Sequence, residues 1–476
     1  MASISDDIFY STLTELNAKL RAREFSAVEL ARAFCGRLEK FGPRLNALAL
    51  SLRDTALAKA RTVDDEIKRD RLRGPLQGVP CAVKDLLSVA AKPTTWGARP
   101  YASQRFNHDA TVIQKLDRAG AVLIGKLAMV ELAGGGGYRY ASASLTGPGL
   151  NPWDLSRWSG GSSSGSASAV AAGLTPFALG SETSGSILTP AAFCGVTGLR
   201  PTYGLVSRYG AMALCWTMDK IGPMCRSAED CGHVLQAISG GDSNDPSSAG
   251  KSFYYTPQFA RKLTDLRVGF APVDFAEHAD ADTRPAFQAA MEVLRSLGAR
   301  MVESELPDLP YSDVTETIIS TDGSATFEPL IRSGEVEQLA DQKQIAGLKA
   351  GLDIPARDYL RAMRIRGIVR DELRKLFAKV DVLISPSTFR VATKVTDRLD
   401  LPDQPSAAPK QRGLRRLGAA GNLAGLPALS LPCGLAGGLP VAVQLVGRPF
   451  TENNILAMGV EFQRRTDWHR RRPPAL

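Results

Sequence analysis

Histidine is scarce in this chain: four residues in 476, His108, His233, His278 and His469, none near another in sequence. That scarcity argues against a zinc centre and leaves few partners for a Ser-His-Asp mechanism. Cysteine occurs seven times but never as a CxxC pair. An odd set without an export signal reads as reduced, mostly buried thiols, which predicts a cytoplasmic protein. No run reaches the ~18 consecutive apolar residues of a membrane span, so no membrane association is expected. The opening residues, MASISDDIFYSTLTEL, are acidic and polar where a secretory leader is basic and then apolar. Hydrophobic residues make up 44% and charged residues 22%, which excludes disorder, a fibrous repeat and a small disulfide scaffold. The net charge of +9 is diffuse. Its densest piece, Arg464 and Arg465 followed by Arg470, Arg471 and Arg472, reads as a solvated helix end, so no nucleic-acid partner is expected.

Strand-like and helical segments alternate, which predicts an α/β protein. Ser26-Ala-Val-Glu29 is a capping box opening an amphipathic helix that stops at Gly42-Pro43. Further helices are expected over 53–69, 110–119, 283–297, 356–378 and 454–467. Strands are expected at 79–83, in AVLIGKL from Ala121, in FALG near Phe177 and in RVGFA near Arg267. DVLIS at Asp381, ALSLP at Ala428 and VAVQLVG at Val441 complete the set. The turn-rich GGDSNDPSSAG at 240–250 could start a smaller lobe, and 398–416 reads as a long surface loop.

One segment does not read as scaffold. SGGSSSGSASAVAAG, at 159–173, resembles a flexible linker, yet it lacks charge, runs into a small-residue helix and is followed at once by a strand. Small side chains serve where backbones approach closely, and glycine admits the positive φ that aims N–H groups into a cavity. A second cluster, GSETSGSIL, places Ser181, Ser184 and Ser186 just after the FALG strand, where successive N–H groups could face an oxyanion. Ser163 sits in a Gly-x-Ser-x-Gly pattern, but neither the hydrophobic strand before it nor the late histidine of a nucleophile elbow is present. The other base open to a serine is a lysine kept neutral by burial, and Lys84, ending the apolar run Val79-Pro-Cys-Ala-Val83, is the candidate.

Together these pieces resemble the amidase signature family. The resemblance runs through GVPCAVKD (78–85), GGSSSGSASAVAAGL (160–174) and GSETSGSILTPAAFCGVTGLRPTYG (180–204). It continues in NPWD at Asn151, DKIGPM at Asp219, DVLISPST at Asp381 and NLAGLPALSLPCG at Asn422. The resemblance implies one α/β/α domain over 1–476, a large mixed sheet covered by helices on both faces. Its signature core would span about 78–225, with 240–380 more variable. It implies a Ser–cis-Ser–Lys triad: Ser186 as nucleophile, Ser162 on a cis peptide bond as relay and Lys84 as base. The oxyanion hole would be the N–H groups of Thr183, Ser184, Gly185 and Ser186, with Ser163 in support. No metal or cofactor is implied.

The loop departs from the family's DTGGSIR, with Glu182, Ser184 and Leu188 in place of Asp, Gly and Arg; Glu182/Leu188 is expected to replace the Asp/Arg pair as a unit. The acid that grips glutamine before NLAG in the tRNA-dependent amidotransferase's amidase chain is missing from GLRRLGAAGNLAG. The expected function is therefore a serine amidohydrolase of a small amide, aryl or apolar amide, anilide or carbamate, working as a monomer or homodimer. Met129, Leu132, Tyr138, Tyr140, Trp158 and Trp216 are candidates to line its pocket. The alternatives are an inactive binding protein of the family and an amidotransferase-type, ammonia-supplying subunit.

Overall fold

A computed structural model describes residues 4–401 and 412–474. Among the described residues eleven strands form one mixed sheet, and a further two form a small hairpin. The strands are β1 (Leu48–Ser51), β2 (Pro80–Lys84), β3 (Val122–Leu127), β4 (Leu150–Asn151), β5 (Asp154–Trp158), β6 (Phe177–Glu182) and β7 (Thr197–Arg200). They continue with β8 (Lys220–Cys225), β9 (Arg267–Phe270), β10 (Arg300–Glu303), β11 (Val382–Pro386), β12 (Ala428–Ala436) and β13 (Leu439–Gly447). The order across the large sheet is β1-β3-β2-β6-β8-β7-β12-β13-β11-β9-β10, and β4 and β5 pair only with each other. β2 runs parallel to both β3 and β6, whereas β6 and β8 are antiparallel. Helices cover the sheet on both faces, which is the expected architecture. The variable 240–380 region supplies β9 and β10 at one edge of that same sheet.

Strands buried on both faces carry continuous apolar runs, as β2 does with every residue of PCAVK buried. The expected capping box is present: Glu29 N donates to Ser26 Oγ (3.1 Å) and Ser26 N to Glu29 Oε2 (2.9 Å), opening the helix Ala27–Phe41. The small-residue segment is a helix, Ser164–Ala171, with every side chain buried. Its composition follows from crowding. A Cβ on Gly165 would lie 2.6 Å from Ala47 O and 2.7 Å from Ala128 N, so only glycine fits there. The expected loop at 398–416 lies largely outside the described residues.

The end of β2 is fixed by a buried ion pair, Lys126 Nζ to Asp85 Oδ1 at 2.7 Å, both side chains almost fully enclosed. Lys126 also donates to Pro93 O (2.8 Å) and Thr94 Oγ1 (2.6 Å), and Asp85 Oδ2 accepts from Thr95 N (3.0 Å). These bonds press the 93–97 loop onto the residue next to Lys84. Lys126→Met leaves the Asp85 carboxylate buried without its counter-ion, and urea unfolding should show a loss of about 3–5 kcal/mol. Removing the half-exposed Lys19, paired with Glu24 at the surface, should cost less than about 1 kcal/mol in the same assay.

Candidate active site

Lys84 closes β2 and is fully enclosed. Its amine donates to Ser162 Oγ at 2.7 Å and to Ser181 Oγ at 2.9 Å. Burial pushes the amine down to about 7, against the upward pull of Asp219 and Glu182. A lysine in that position holds a free amine at mildly alkaline pH, with a hydroxyl on either side.

Ser162 follows a cis peptide bond from Gly161. Its carbonyl accepts from Val130 N at 3.1 Å. Gly160 has φ +83°, and a Cβ there would meet Pro190 Cα at 2.6 Å, so this turn lies directly against the segment that follows Ser186. Ser163 Oγ donates to Ser181 O (3.1 Å) and accepts from Ser181 N (3.3 Å), tying the turn to β6. The residues before Ser163 form a bend after the β5 hairpin strand, and its hydroxyl is engaged by main chain. That arrangement is not a nucleophile elbow, and the Ser163 hydroxyl ties the turn to β6.

The loop from Thr183 to Ser186 is gripped from beneath by Glu182. One carboxylate oxygen accepts from Ile187 N (2.9 Å) and Leu188 N (3.0 Å), the other from Arg200 Nη1 (2.8 Å) and Asn422 Nδ2 (3.0 Å). Burial pushes this carboxyl up, but the charges of Arg200 and Lys220 and the bonds from Arg200 and Asn422 outweigh it and hold it at about 2. The Glu182/Leu188 unit is thus corrected: Leu188 gives only its N–H, and the guanidinium comes from Arg200 on β7. Thr183 Oγ1 donates to Asp219 Oδ1 (2.6 Å), and Lys220 Nζ donates to Thr183 O (3.3 Å) and Asn422 Oδ1 (2.8 Å).

Among the described residues the N–H groups of Ser184, Gly185 and Ser186 meet no acceptor, and Gly185 has φ +93°. Ser186 is half-buried, and no hydrogen bond among the described residues joins its hydroxyl to Ser162. The two serine segments meet instead through Gly160 and Ser163.

A cavity of about 580 Å³ opens on Ser181, Thr183 and Lys220 and is walled by Leu86, Met212, Leu214 and Trp216. Of the pocket candidates, Trp216 lines this cavity. Tyr138 and Trp158 pack edge to face (6.1 Å) and lie against Gly161, while Met129 and Leu132 are enclosed in the core and Tyr140 is exposed. The site also holds residues that sequence reasoning did not place in it: Ser181, Arg200, Asp219, Lys220 and Asn422. Ser181 stood in the second serine cluster, and Arg200, Asp219, Lys220 and Asn422 stood in the family motifs, but their convergence is visible only once β6, β7 and β8 are side by side.

The chain is 38% identical to a Glutamyl-tRNA(Gln) amidotransferase subunit of Chloroflexus aurantiacus, over 98% of this chain and 99% of that protein. The peptide amidase of Stenotrophomonas maltophilia superposes with a TM-score of 0.83 at 31% identity, covering 98% of each chain. A structure reported as a vestigial protein complex behind an s-triazine catabolic enzyme gives a TM-score of 0.86 at 29% identity, over 96% of this chain and 99% of that one. These relatives overturn one expectation. A monomer or homodimer acting on a small amide or carbamate, with no nucleic acid, does not fit a chain whose relatives are named as one subunit of an enzyme of glutamyl-tRNA. The family model described as Amidase matches residues 29–456, and the chain belongs to that family of amidase signature enzymes.

Proposed function

We propose that the chain cleaves an amide C–N bond through an acyl-enzyme on Ser186. The observation that carries this reading is the enclosed Lys84 amine 2.7 Å from the Ser162 hydroxyl. In the first half-reaction, Ser186 Oγ forms a bond to the amide carbon while its proton passes to Ser162, whose own proton passes to Lys84. The carbonyl oxygen becomes an oxyanion held by the free N–H groups of the 183–186 loop. The C–N bond then breaks, the amine leaves with the proton returned through Ser162, and water releases the acid by the same path. The link from Ser162 to Ser186 closes with substrate in place, since catalytic hydrogen bonds are often loose without it.

The setting that the relatives support best is an amidotransferase-type subunit, which frees ammonia from an amide for a reaction completed with other chains. Identity of 36–38% over 98% of the chain to proteins bearing that name favours it over a self-contained small-amide amidase. One observation bears on the amide taken in that setting. The charged groups around the cavity are already engaged: Arg208 Nη1 donates to Trp216 O (2.6 Å), Asp245 accepts from Arg208 N (2.8 Å), and Asp219 accepts from Leu214 N (2.8 Å). Such a lining suits an uncharged aryl or apolar amide better than an amino acid. The continuity of the sheet supports reading the chain as one domain, and seven enclosed free cysteines support a cytoplasmic setting.

Ser186→Ala and Lys84→Ala should each lower amide turnover by about a thousandfold or more with an unchanged circular dichroism spectrum, and retained activity in either removes the assignment. A sulfonyl fluoride should label Ser186, read by mass spectrometry of its peptide. Because burial lowers Lys84 to about 7, the active free amine gains population as pH rises, so kcat/KM should climb through about pH 7 and level off above it. A profile falling over that range contradicts a lysine base. Glutamine and aryl amides, assayed on the chain alone and with the companion chains of a glutamyl-tRNA amidotransferase, test that setting. Turnover of either amide rising with the companions supports that setting, and turnover of both indifferent to them overturns it.

A further inference from the structure

Two buried lysines reach the site, and the mechanism uses only one. Lys220 heads β8 and is the direct cross-strand partner of Glu182, while Lys84 ends β2 on the other side of β6. The two amines therefore reach the same stretch of chain, Ser181 to Thr183, from opposite sides. Both are pushed down to about 7 by burial. The question is which of them carries a proton in the resting enzyme.

The charges around them set the count. Arg200 on β7 contributes one positive charge and Glu182 on β6 one negative charge, in contact at 2.8 Å. Asp219, just before β8, adds a second negative charge. Burial pushes its carboxyl up, yet Thr183 Oγ1 and the N–H groups of Leu214 and Cys215 converge on its oxygens and favour the ionised form. Next out, Arg208 is matched by Asp245 at 3.6 Å. The Cys215 thiol is donated to Asp322 and pushed far above neutrality, and beside it the buried Arg366 donates to Thr217 O (2.6 Å) and Leu423 O (2.7 Å), so Asp322 and Arg366 add one charge of each sign. With both lysines neutral the enclosed cluster carries net negative charge, and with one protonated it balances. A buried cluster is least costly when balanced.

The partners then decide between the two amines. Lys84 faces two hydroxyls, each of which can turn its own hydrogen onto a free amine lone pair. Lys220 faces two carbonyl oxygens, Thr183 O and Asn422 Oδ1, which only accept. The Asn422 amide cannot turn round without loss, because its Nδ2 donates to Glu182 Oε1 (3.0 Å) and Gly418 O (3.0 Å). A free amine at Lys220 would bury a lone pair with no donor, whereas an ammonium fits.

We propose that Lys220 is a positioning residue for the site's proton: it holds the positive charge that balances Glu182 and Asp219 and so leaves Lys84 as a free amine. This deepens the reading of Lys84 as the base and rests on it. Without the charge on Lys220, the two carboxylates would draw the proton onto Lys84 and silence it at neutral pH.

The test is the pH profile of kcat/KM for Lys220→Gln, which keeps an N–H donor near Thr183 O but removes the charge. The rising limb should move to higher pH, so that activity at about pH 7 falls about tenfold or more and returns by about pH 9. A limb left at the wild-type midpoint, whatever its height, overturns the proposal. Should that variant fail to fold, wild-type chain carrying 13Cε-lysine answers the same question by NMR, with Lys84→Met identifying the Lys84 signal. Lys220 should keep its ammonium shift to higher pH than Lys84, and the reverse order overturns the proposal. Failure of the underlying base assignment reads differently: turnover would persist in Lys84→Ala.

Discussion

An amine shut away from water, with no carboxylate among the described residues in hydrogen-bond contact, shapes everything placed around Lys84. Desolvation alone removes its preference for the charged form, and the fold must then supply partners that do not restore it. Hydroxyls meet that demand, and both come from neighbours set by topology: Ser162 from the turn before the helix Ser164–Ala171, and Ser181 from the adjoining strand. The ion pair one residue on, between Asp85 and Lys126, does the opposite work. It holds a charge within a covalent neighbour of Lys84, but on the other side of the strand, where alternation of side chains keeps it out of the site.

The loop carrying Ser186 answers a second constraint. A chain leaving β6 and entering a helix presents N–H groups that must be aimed without being consumed. Glu182 takes the N–H groups of Ile187 and Leu188, just beyond Ser186, and leaves those of 184–186 unclaimed. Its charge is answered by Arg200 on β7, two strands away, and its oxygen is also met by the Asn422 amide. The family's loop acid was visible in the sequence as Glu182. Its guanidinium partner was not, because β6, β8 and β7 lie side by side only in space.

Most strands were legible because they bury both faces and so read as apolar runs. β8 was not, since KIGPMC contains a Gly-Pro step that reads as a turn. The structure accommodates Pro223 because the β7 ladder stops at Met224, one residue short of it, so the absent N–H removes no bond on that side. The helix Tyr311–Thr326 escaped notice for another reason. YSDVTETIISTDGSAT is rich in residues that compete with helical bonding, and Thr315, Thr317, Thr321 and Thr326 turn their hydroxyls back to carbonyls four residues earlier. The proposed Lys84, Ser162 and Ser186 were legible through motifs, while the groups that set their charge state were legible only as unexplained parts of those motifs.

The crowding at Gly165 has an outcome for how such a protein can diversify. With the helix behind the serine turn closed to any added methyl group, and β2, β6 and β8 locked by buried charges, the chemical apparatus has almost no freedom to drift. The wall of the cavity is different: Met212, Leu214, Trp216 and Pro246 stand on connecting segments outside the sheet. Laboratory selection for new amides would therefore find its useful variation on that wall, and one inherited engine could serve many unlike cargoes without being rebuilt.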